Sequence, residues 1–419
     1  MIVRSWRNVK ISAGDLGILG TNVVRKISMS TLEATTQDIS QWAQAASNKF
    51  LPLPASVYTC PEWFEKEIET IFYKEWICVG HVSELAKAND YLTMDIYDKP
   101  LLVVRDGNKN IRAFSNVCQH RSAIIAKGKG NKKLFACPYH AWSYENNGKL
   151  KFAPHMDKEA VKDICLPEYK VEIWQGLVFV SLDAEAPPLA PRLEKLGPRY
   201  APYSIEDYKV FYREETELEC NWKALVENFC ENYHLFCIHS QTLEPMTPTL
   251  GTEVREGGPG FNHATSISPS EDRKDSTASS TDRLPVELQD FLHISAYFPC
   301  LAASVSAKSC VWLIVLPTGP QTIKFVALAA AYPEEGEDEI PEEYIKSFLE
   351  GLDPVMEEDK AALRLVQKGL AAGTGQAAPL HPFEQTNWEF GHYLARTVLG
   401  IDTMQRPDNN APWPLSMTN

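Results

Sequence analysis

The chain has 419 residues and a mass of 47.1 kDa, room for two large domains or one large domain with an insert. A hydrophobic fraction of 44%, a charged fraction of 23% and a mean hydropathy of −0.26 exclude wholesale disorder, and no apolar run approaches the ~18 residues of a membrane-spanning helix. With 41 basic against 55 acidic residues the net charge is −14, which argues against nucleic acid as a partner because phosphate neutralisation dominates that affinity. Small molecules and proteins are expected instead. Ten cysteines without an apolar secretory region point to reduced thiols in the cytoplasm.

Residues 1–28 form a basic, acid-poor leader, either a transit segment or an over-long start with Met29 as the initiator. Residues 29–57 are expected to pack on the second of the two domains described next. From Pro61 to Trp76, Phe64, Ile68, Ile71, Phe72 and Trp76 recur near helical spacing and predict an amphipathic helix. The period then falls to two: short strands are expected at Ile77 to Val82, Tyr91 to Tyr97, Leu101 to Arg105, Ile111 to Val117, Leu134 to Cys137, Ala141 to Tyr144 and Gly176 to Leu182, with Asp106-Gly107 as a hairpin turn. This is a compact all-β unit over residues 58–183. Pro187, Pro188, Pro191 and Pro198 mark a linker, and residues 184–419 form a second domain. In it a helix is expected from Asn221 to His239, a long loop at residues 251–283, strands near Leu292 to Phe298, Cys310 to Leu316 and Ile323 to Ala331, then helices at Pro341 to Leu352 and Pro354 to Leu370. The fold class is α+β.

The β unit carries Cys118-Gln119-His120 and, sixteen residues on, Cys137-Pro138-Tyr139-His140. Singly these would be packing cysteines and core histidines. Paired as C-x-H and C-x-x-H at strand ends, they are four metal ligands converging from two loops. Zinc fingers usually keep two Cys in one pair and two His in the other. Here each pair holds one of each, which suits a two-iron cluster with Cys on one iron and His on the other.

The second domain carries Asn221-Trp222-Lys223, then Glu227-Asn228-Phe229-Cys230-Glu231-Asn232-Tyr233-His234, and His239. Two His and one carboxylate make the facial triad of mononuclear iron(II) sites. Five residues turn a helix 500°, so His234 and His239 would lie ~140° apart on an ideal helix and can share a metal only if it is distorted or ends near His239. For the third ligand, a helix with Asp353 as N-cap and Pro354 at its first position puts Val355, Asp359, Ala362, Leu363, Val366 and Leu370 on one stripe, so Asp359 faces inward while Glu357 is solvated and Glu358 intermediate.

From about Tyr58 to about Gly391 the chain resembles the Rieske non-haem iron oxygenases, the ring-hydroxylating oxygenase α subunits. The likeness rests on the two ligand pairs, Arg121, Pro138-Tyr139-His140, Trp142, the Tyr144 to Gly148 hairpin, Glu227 to His239, and Glu358-Asp359 before Gln367-Lys368-Gly369-Leu370. It implies a [2Fe-2S] cluster on Cys118, His120, Cys137 and His140, iron(II) on His234, His239 and Asp359, and a helix-grip-like catalytic domain. Electrons would come from NAD(P)H through a flavin/iron-sulfur reductase or ferredoxin. Glu231, at a position where the family most often has Asp, would bridge the Rieske His of one subunit to the iron of the next in a homotrimer; Asn228 joins the candidate catalytic residues. One departure stands out: the family usually has Gly after the second ligand His, and this chain has Ala141.

The implied activity is oxygenation of a small organic substrate with O₂. Glu231 in Glu-Asn-Tyr-His resembles the Glu-Cys-Tyr-His of carnitine, betaine and stachydrine oxygenases, although Asn232 departs from it. Trp312, Phe298, Tyr297 and Phe236 could supply a cage for a quaternary amine, though aromatics so placed are more often core. The rival readings are an aromatic ring-hydroxylating dioxygenase and, outside enzymes, a Rieske electron carrier or zinc-binding module. A carrier would need only the β unit, and over half of the chain lies beyond it.

Overall fold

The computed structural model describes residues 31–44, 50–267, 284–333, 339–375 and 378–400. The leader at 1–28 lies outside them. Helix α1 (Thr31–Ala43) packs on the C-terminal helix α6 (Gln385–Val398), where Gly391 leaves room for the Trp42 ring and the Trp42 indole donates to the Leu51 carbonyl at 3.0 Å. Helix α2 (Pro61–Glu67) starts with proline at its first position and continues into one π-turn, Ile68–Phe72, rather than running regularly to Trp76.

The β unit contains ten strands: β1 (Ile77–His81), β2 (Asp90–Ile96), β3 (Lys99–Arg105), β4 (Ile111–Ser115), β5 (Lys129–Asn131), β6 (Leu134–Ala136), β7 (Ser143–Glu145), β8 (Leu150–Phe152), β9 (Glu168–Trp174) and β10 (Leu177–Ser181). They form one seven-stranded sheet ordered β1-β10-β9-β4-β3-β2-β5 and a three-stranded sheet β6-β7-β8. Their pairings are antiparallel, as the short strands and tight turns require. The Asp106 carboxylate accepts from the Asn108 and Asn110 amides, both at 2.9 Å, and this closes the β3–β4 hairpin.

The second unit is built on a seven-stranded antiparallel sheet: β11 (Lys209–Leu218), β12 (Thr252–Gly258), β13 (Phe261–Ile267), β14 (Phe291–Tyr297), β15 (Leu301–Val305), β16 (Ser309–Gly319) and β17 (Thr322–Ala331), ordered β11-β17-β16-β15-β14-β13-β12. Helix α3 (Trp222–Cys230) lies over β13 to β16, and α5 (Glu342–Ala372) and α6 pack on α3.

Four expectations need correction. The loop at 251–283 is in good part sheet, since β12 and β13 pair from Thr252↔Ser266 to Gly258↔Phe261; residues 268–283 lie outside the described ones. The two helices meeting at Pro354 are one, with Pro354 inside it and Asp353 helical rather than an N-cap. The missing proline N–H leaves a carbonyl one turn earlier, near exposed Glu350, where water can bond it. Val366 is 49% exposed and leaves the buried stripe, which consists of Val355, Leu363 and Gln367. The proline-rich linker is packed: Leu189, Leu193, Leu196, Tyr200 and Tyr203 are buried in a core that also includes residues of β1 and β10.

Candidate metal centres

The helix expected from Asn221 to His239 breaks after Cys230, which resolves the spacing of its two histidines. Asn221 caps α3, its side chain accepting from the Lys223 amide at 3.0 Å, and Glu231 then turns extended at φ −125°, ψ 151°. The Asn232 amide donates to Thr252 Oγ1 on β12 at 2.9 Å, and His234 opens a one-turn helix α4 (Leu235–Ile238) that ends at His239. The kinked path brings His234 and His239 to a ring separation of 5.2 Å.

Asp359 comes to them from α5. Its Oδ1 lies 3.0 Å from His239 Nε2 and 3.7 Å from His234 Nε2, and ligand atoms of all three residues fall within 4.8 Å of one another. The opposite ring nitrogens are already occupied: Nδ1 of His234 meets Glu231 Oε1 at 2.6 Å, and Nδ1 of His239 meets Glu358 Oε2 at 2.7 Å. Both Nε2 atoms therefore point at one shared place, and a carboxylate behind a ligating imidazole fixes its tautomer and orientation. Asn228 Nδ2 holds Asp359 Oδ1 at 3.2 Å. Three acids around two imidazoles call for a cation; burial pushes His239 down, yet the carboxylates of Asp359 and Glu358 outweigh it and the net shift is upward. The donor set fits an iron(II) ion.

Glu231 is not on a helix face shared with His234, as the sequence suggested; it reaches the ring from an extended residue, while its Oε2 also accepts from the Tyr233 and His234 amides. Glu358, called intermediate from the sequence, was missed as a site residue. The α5 periodicity alone cannot reveal it, because its partners, His239 and the Thr242 hydroxyl at 2.7 Å, come from another segment.

Of the aromatics considered for a cage, Trp312 is fully buried and stacked on His81 at 5.4 Å, and Tyr297 packs on Trp174 at 5.4 Å. Phe298 stacks on Tyr393 at 4.7 Å. All three are core. Phe236, 53% exposed, is beside Tyr233, whose ring stacks on His381 at 4.3 Å.

At the tip of the β unit the two ligand loops are built alike. The Ser122 amide donates to the Cys118 carbonyl and the Ala141 amide to the Cys137 carbonyl, each at 3.0 Å, and both closing residues have φ of +58°. Cys118 and Cys137 are buried, whereas His120 and His140 are exposed with ring centroids 4.7 Å apart. His120 stacks on Trp142 at 4.7 Å, and the Tyr144 hydroxyl meets Cys118 Sγ at 3.4 Å while accepting from the Gln119 amide at 3.0 Å. Two sheltered sulfurs and two outward imidazoles fit the donor set that a Rieske cluster needs. None of the ten cysteines is in a disulfide, and no described helix is long and apolar enough to cross a membrane.

Known proteins agree with this division. The family model for the Rieske [2Fe-2S] domain matches residues 75–170, and that for the ring hydroxylating alpha subunit (catalytic domain) matches residues 205–400, which implies a cluster in the first and a mononuclear iron in the second. The carnitine monooxygenase oxygenase subunit of Escherichia coli (strain K12) is 39% identical over 188 residues, 43% of this chain and 50% of that protein. The glycine betaine monooxygenase oxygenase subunit of Chromohalobacter salexigens is 34% identical over 215 residues, 50% and 48% of the two chains. These matches span about half the length of the relatives; chloroplastic choline monooxygenase of Spinacia oleracea matches at 28% over 403 residues, 90% of this chain and 87% of that one. A solved quaternary ammonium Rieske monooxygenase superposes with a TM-score of 0.72 at 25% identity, covering 84% of this chain and 96% of its own. Naphthalene 1,2-dioxygenase from Rhodococcus sp., at 21% identity and a TM-score of 0.71 over 91% of this chain and 99% of its own, shares the fold. With both family matches falling on the two constellations described above, the chain belongs to the Rieske non-haem iron oxygenases, as an α (catalytic) subunit.

Proposed function

We propose that the chain is the oxygenase component of a Rieske monooxygenase that hydroxylates or oxidatively demethylates a small quaternary ammonium or N-methylated substrate. The observation that carries the oxygenase reading is the turning of both His234 and His239 Nε2 atoms toward Asp359 Oδ1. The substrate class is supported by the names of the relatives, carnitine, glycine betaine and choline monooxygenases.

In this reading residues 58–183 are the Rieske domain and 184–419 the catalytic domain, with 29–57 packed on the latter. Cys118, His120, Cys137 and His140 hold the cluster, and His234, His239 and Asp359 hold the iron. The cluster supplies single electrons, and the iron supplies the place where O₂ is activated beside the substrate. Glu231 and Glu358 fix the two imidazoles, and Asn228 orients the Asp359 carboxylate. One oxygen atom enters a C–H bond of the substrate and the other leaves as water, which consumes two electrons and two protons. NAD(P)H provides the electrons through a flavin/iron-sulfur reductase or ferredoxin. Glu231 bridges to the Rieske His of a neighbouring copy, and a head-to-tail contact of this kind closes as a ring, here of three. The cytoplasm suits a chain whose ten cysteines form no disulfide.

An O₂-uptake screen of the holoprotein with a generic flavin reductase tests the proposal. Trimethylammonium substrates are expected to drive uptake with formation of a hydroxylated or demethylated product, and simple aromatics are not. Uptake coupled to a cis-diol from an aromatic would replace the proposal with ring dihydroxylation.

A further inference from the structure

Outside the basic leader, one segment of this acidic chain is strongly basic. Between Cys118 and Ala153 there are seven basic residues, Arg121, Lys127, Lys129, Lys132, Lys133, Lys149 and Lys151, against the single acid Glu145, in a chain of net charge −14. Lys129 is on β5, the outermost strand of its sheet, whose residues are all exposed and which pairs with β2, while Lys127 just precedes the strand and Lys132 and Lys133 just follow it, all three exposed. Lys151 is paired with Glu145 at 2.9 Å and the Lys132 ammonium lies over the Tyr91 ring at 5.4 Å. Lys127, Lys129 and Lys133 make no ion pair among the described residues.

The strip is tied to the cluster loop. Both backbone groups of Ala126 bond the Asn116 side chain, its N–H to Oδ1 at 2.9 Å and its carbonyl from Nδ2 at 2.8 Å, and the Cys118 amide bonds the Ala123 carbonyl at 2.9 Å. Lys127 follows at once and, with Asn116, Ile124 and Gly128, lines a groove of about 500 Å³ between β2 and the second sheet. The groove itself is of mixed sign, lined by Asp95 and Glu215 as well as Lys127 and Lys324, of which Lys324 pairs with Glu215 at 3.4 Å, so the unbalanced charge is on the strip beside it. Lysines on an edge strand also discourage strand pairing between copies, and that role needs neither the groove nor the link to Cys118.

We propose that the strip of Lys127, Lys129, Lys132 and Lys133 is the landing surface for the acidic face of a protein electron donor carrying a low-potential [2Fe-2S] centre. This rests on the reading above that electrons reach the chain from a separate protein. Each encounter oxidises the donor centre by one electron and reduces the Rieske cluster by one; no bond is made or broken. Opposite charge steers such an encounter and makes it sensitive to salt.

The test uses the full-length holoprotein and an acidic plant-type [2Fe-2S] ferredoxin as the probe. Affinity is read by calorimetry across a salt series, and cluster reduction by stopped-flow absorbance. The triple variant Lys129→Glu, Lys132→Glu, Lys133→Glu is expected to lose about tenfold or more in affinity and in second-order reduction rate, with a flattened salt dependence. Its visible spectrum, reduction by dithionite and oligomeric state are expected to stay those of the parent. The matching Gln variant is expected to fall between, and Lys346→Glu on exposed α5 to match the parent. Parental affinity and rate in the triple variant would overturn the proposal and leave edge protection as the role of the lysines. So would dissociation of the oligomer on charge reversal, which would make the strip a contact between copies, or no binding of the probe by the parent. A preparation with no cluster absorbance would instead defeat the Rieske reading on which the proposal stands.

Discussion

Glu358 Oε2 lies 2.7 Å from His239 Nδ1, and the carboxylate of the next residue in the chain, Asp359, lies 3.0 Å from the opposite nitrogen of the same ring. Two successive residues of one helix thus grip both sides of an imidazole from another segment. Glu358→Gln keeps the size and removes the charge, and is expected to weaken iron(II) retention about 10–100-fold in chelator competition while leaving the cluster spectrum unchanged. Glu357→Gln, whose parent side chain pairs with Lys360 at 2.9 Å on the outer face, is the control and should retain iron like the parent.

Glu231 is expected to matter for electron transfer more than for assembly. Glu231→Gln leaves one acceptor oxygen where there were two, so cluster and iron should survive while single-turnover oxidation of the reduced cluster slows by about 100-fold. Glu231→Asp restores the charge with a shorter reach. Equal slowness of the two variants would show that length is required as well as charge; parental rates in both would make Glu231 an ordinary acid and end its role as a bridge.

Ala141 closes the second cluster loop at φ +58°, a conformation that costs an L-residue about 1 kcal/mol and glycine little. Ala141→Gly is therefore expected to raise stability by up to about 1 kcal/mol in denaturant titration of the holoprotein, offset in part by the freer unfolded chain. A loss of stability would mean that the methyl group makes a contact worth more than the backbone strain.

Burial pushes the Glu227 carboxyl from 4.5 up to about 7, against the opposing pull of the Tyr58 hydroxyl and the Lys223 ammonium. The folded chain thus keeps a proton there between about 4.5 and 7 that the unfolded chain has released. The stability tied to this group is full below about 4.5 and is lost as the pH rises through 7. Glu227→Gln cannot titrate, so the variant should gain on the parent as pH climbs through that window. A constant difference between the two denaturation curves would contradict this.

The grouping of Cys118, His120, Cys137 and His140 was legible because two short paired motifs at strand ends need no tertiary knowledge, and the same holds for most strands of the β unit, whose turns punctuate them. The iron site was legible only as a set of residues. Nothing in Cys230-Glu231-Asn232-Tyr233 contains a glycine or proline to announce the break in the helix; the bonds of Glu231 to His234 and of Asn232 to Thr252 hold the chain there, and Thr252 is on a strand 20 residues away. Strand β11 was missed because Arg213 to Glu217 reads as a charged run, and β12 because it sits in a Gly-rich stretch; each is recognisable only through its partner strand. Pro354 misled in the opposite direction, since a half-exposed helix tolerates a proline that a buried one would not.

The most direct test of the central claim is a single turnover of the reduced holoprotein with ¹⁸O₂ and a panel of L-carnitine, glycine betaine and choline, with product read by mass spectrometry. The expected result is a hydroxylated product, or the aldehyde released on demethylation, carrying one ¹⁸O atom as formed, in step with loss of the reduced-cluster spectrum. His234→Ala should keep the red-brown colour and give no product. Reoxidation of the cluster without product from any of the three, or equal product from His234→Ala, would contradict the account.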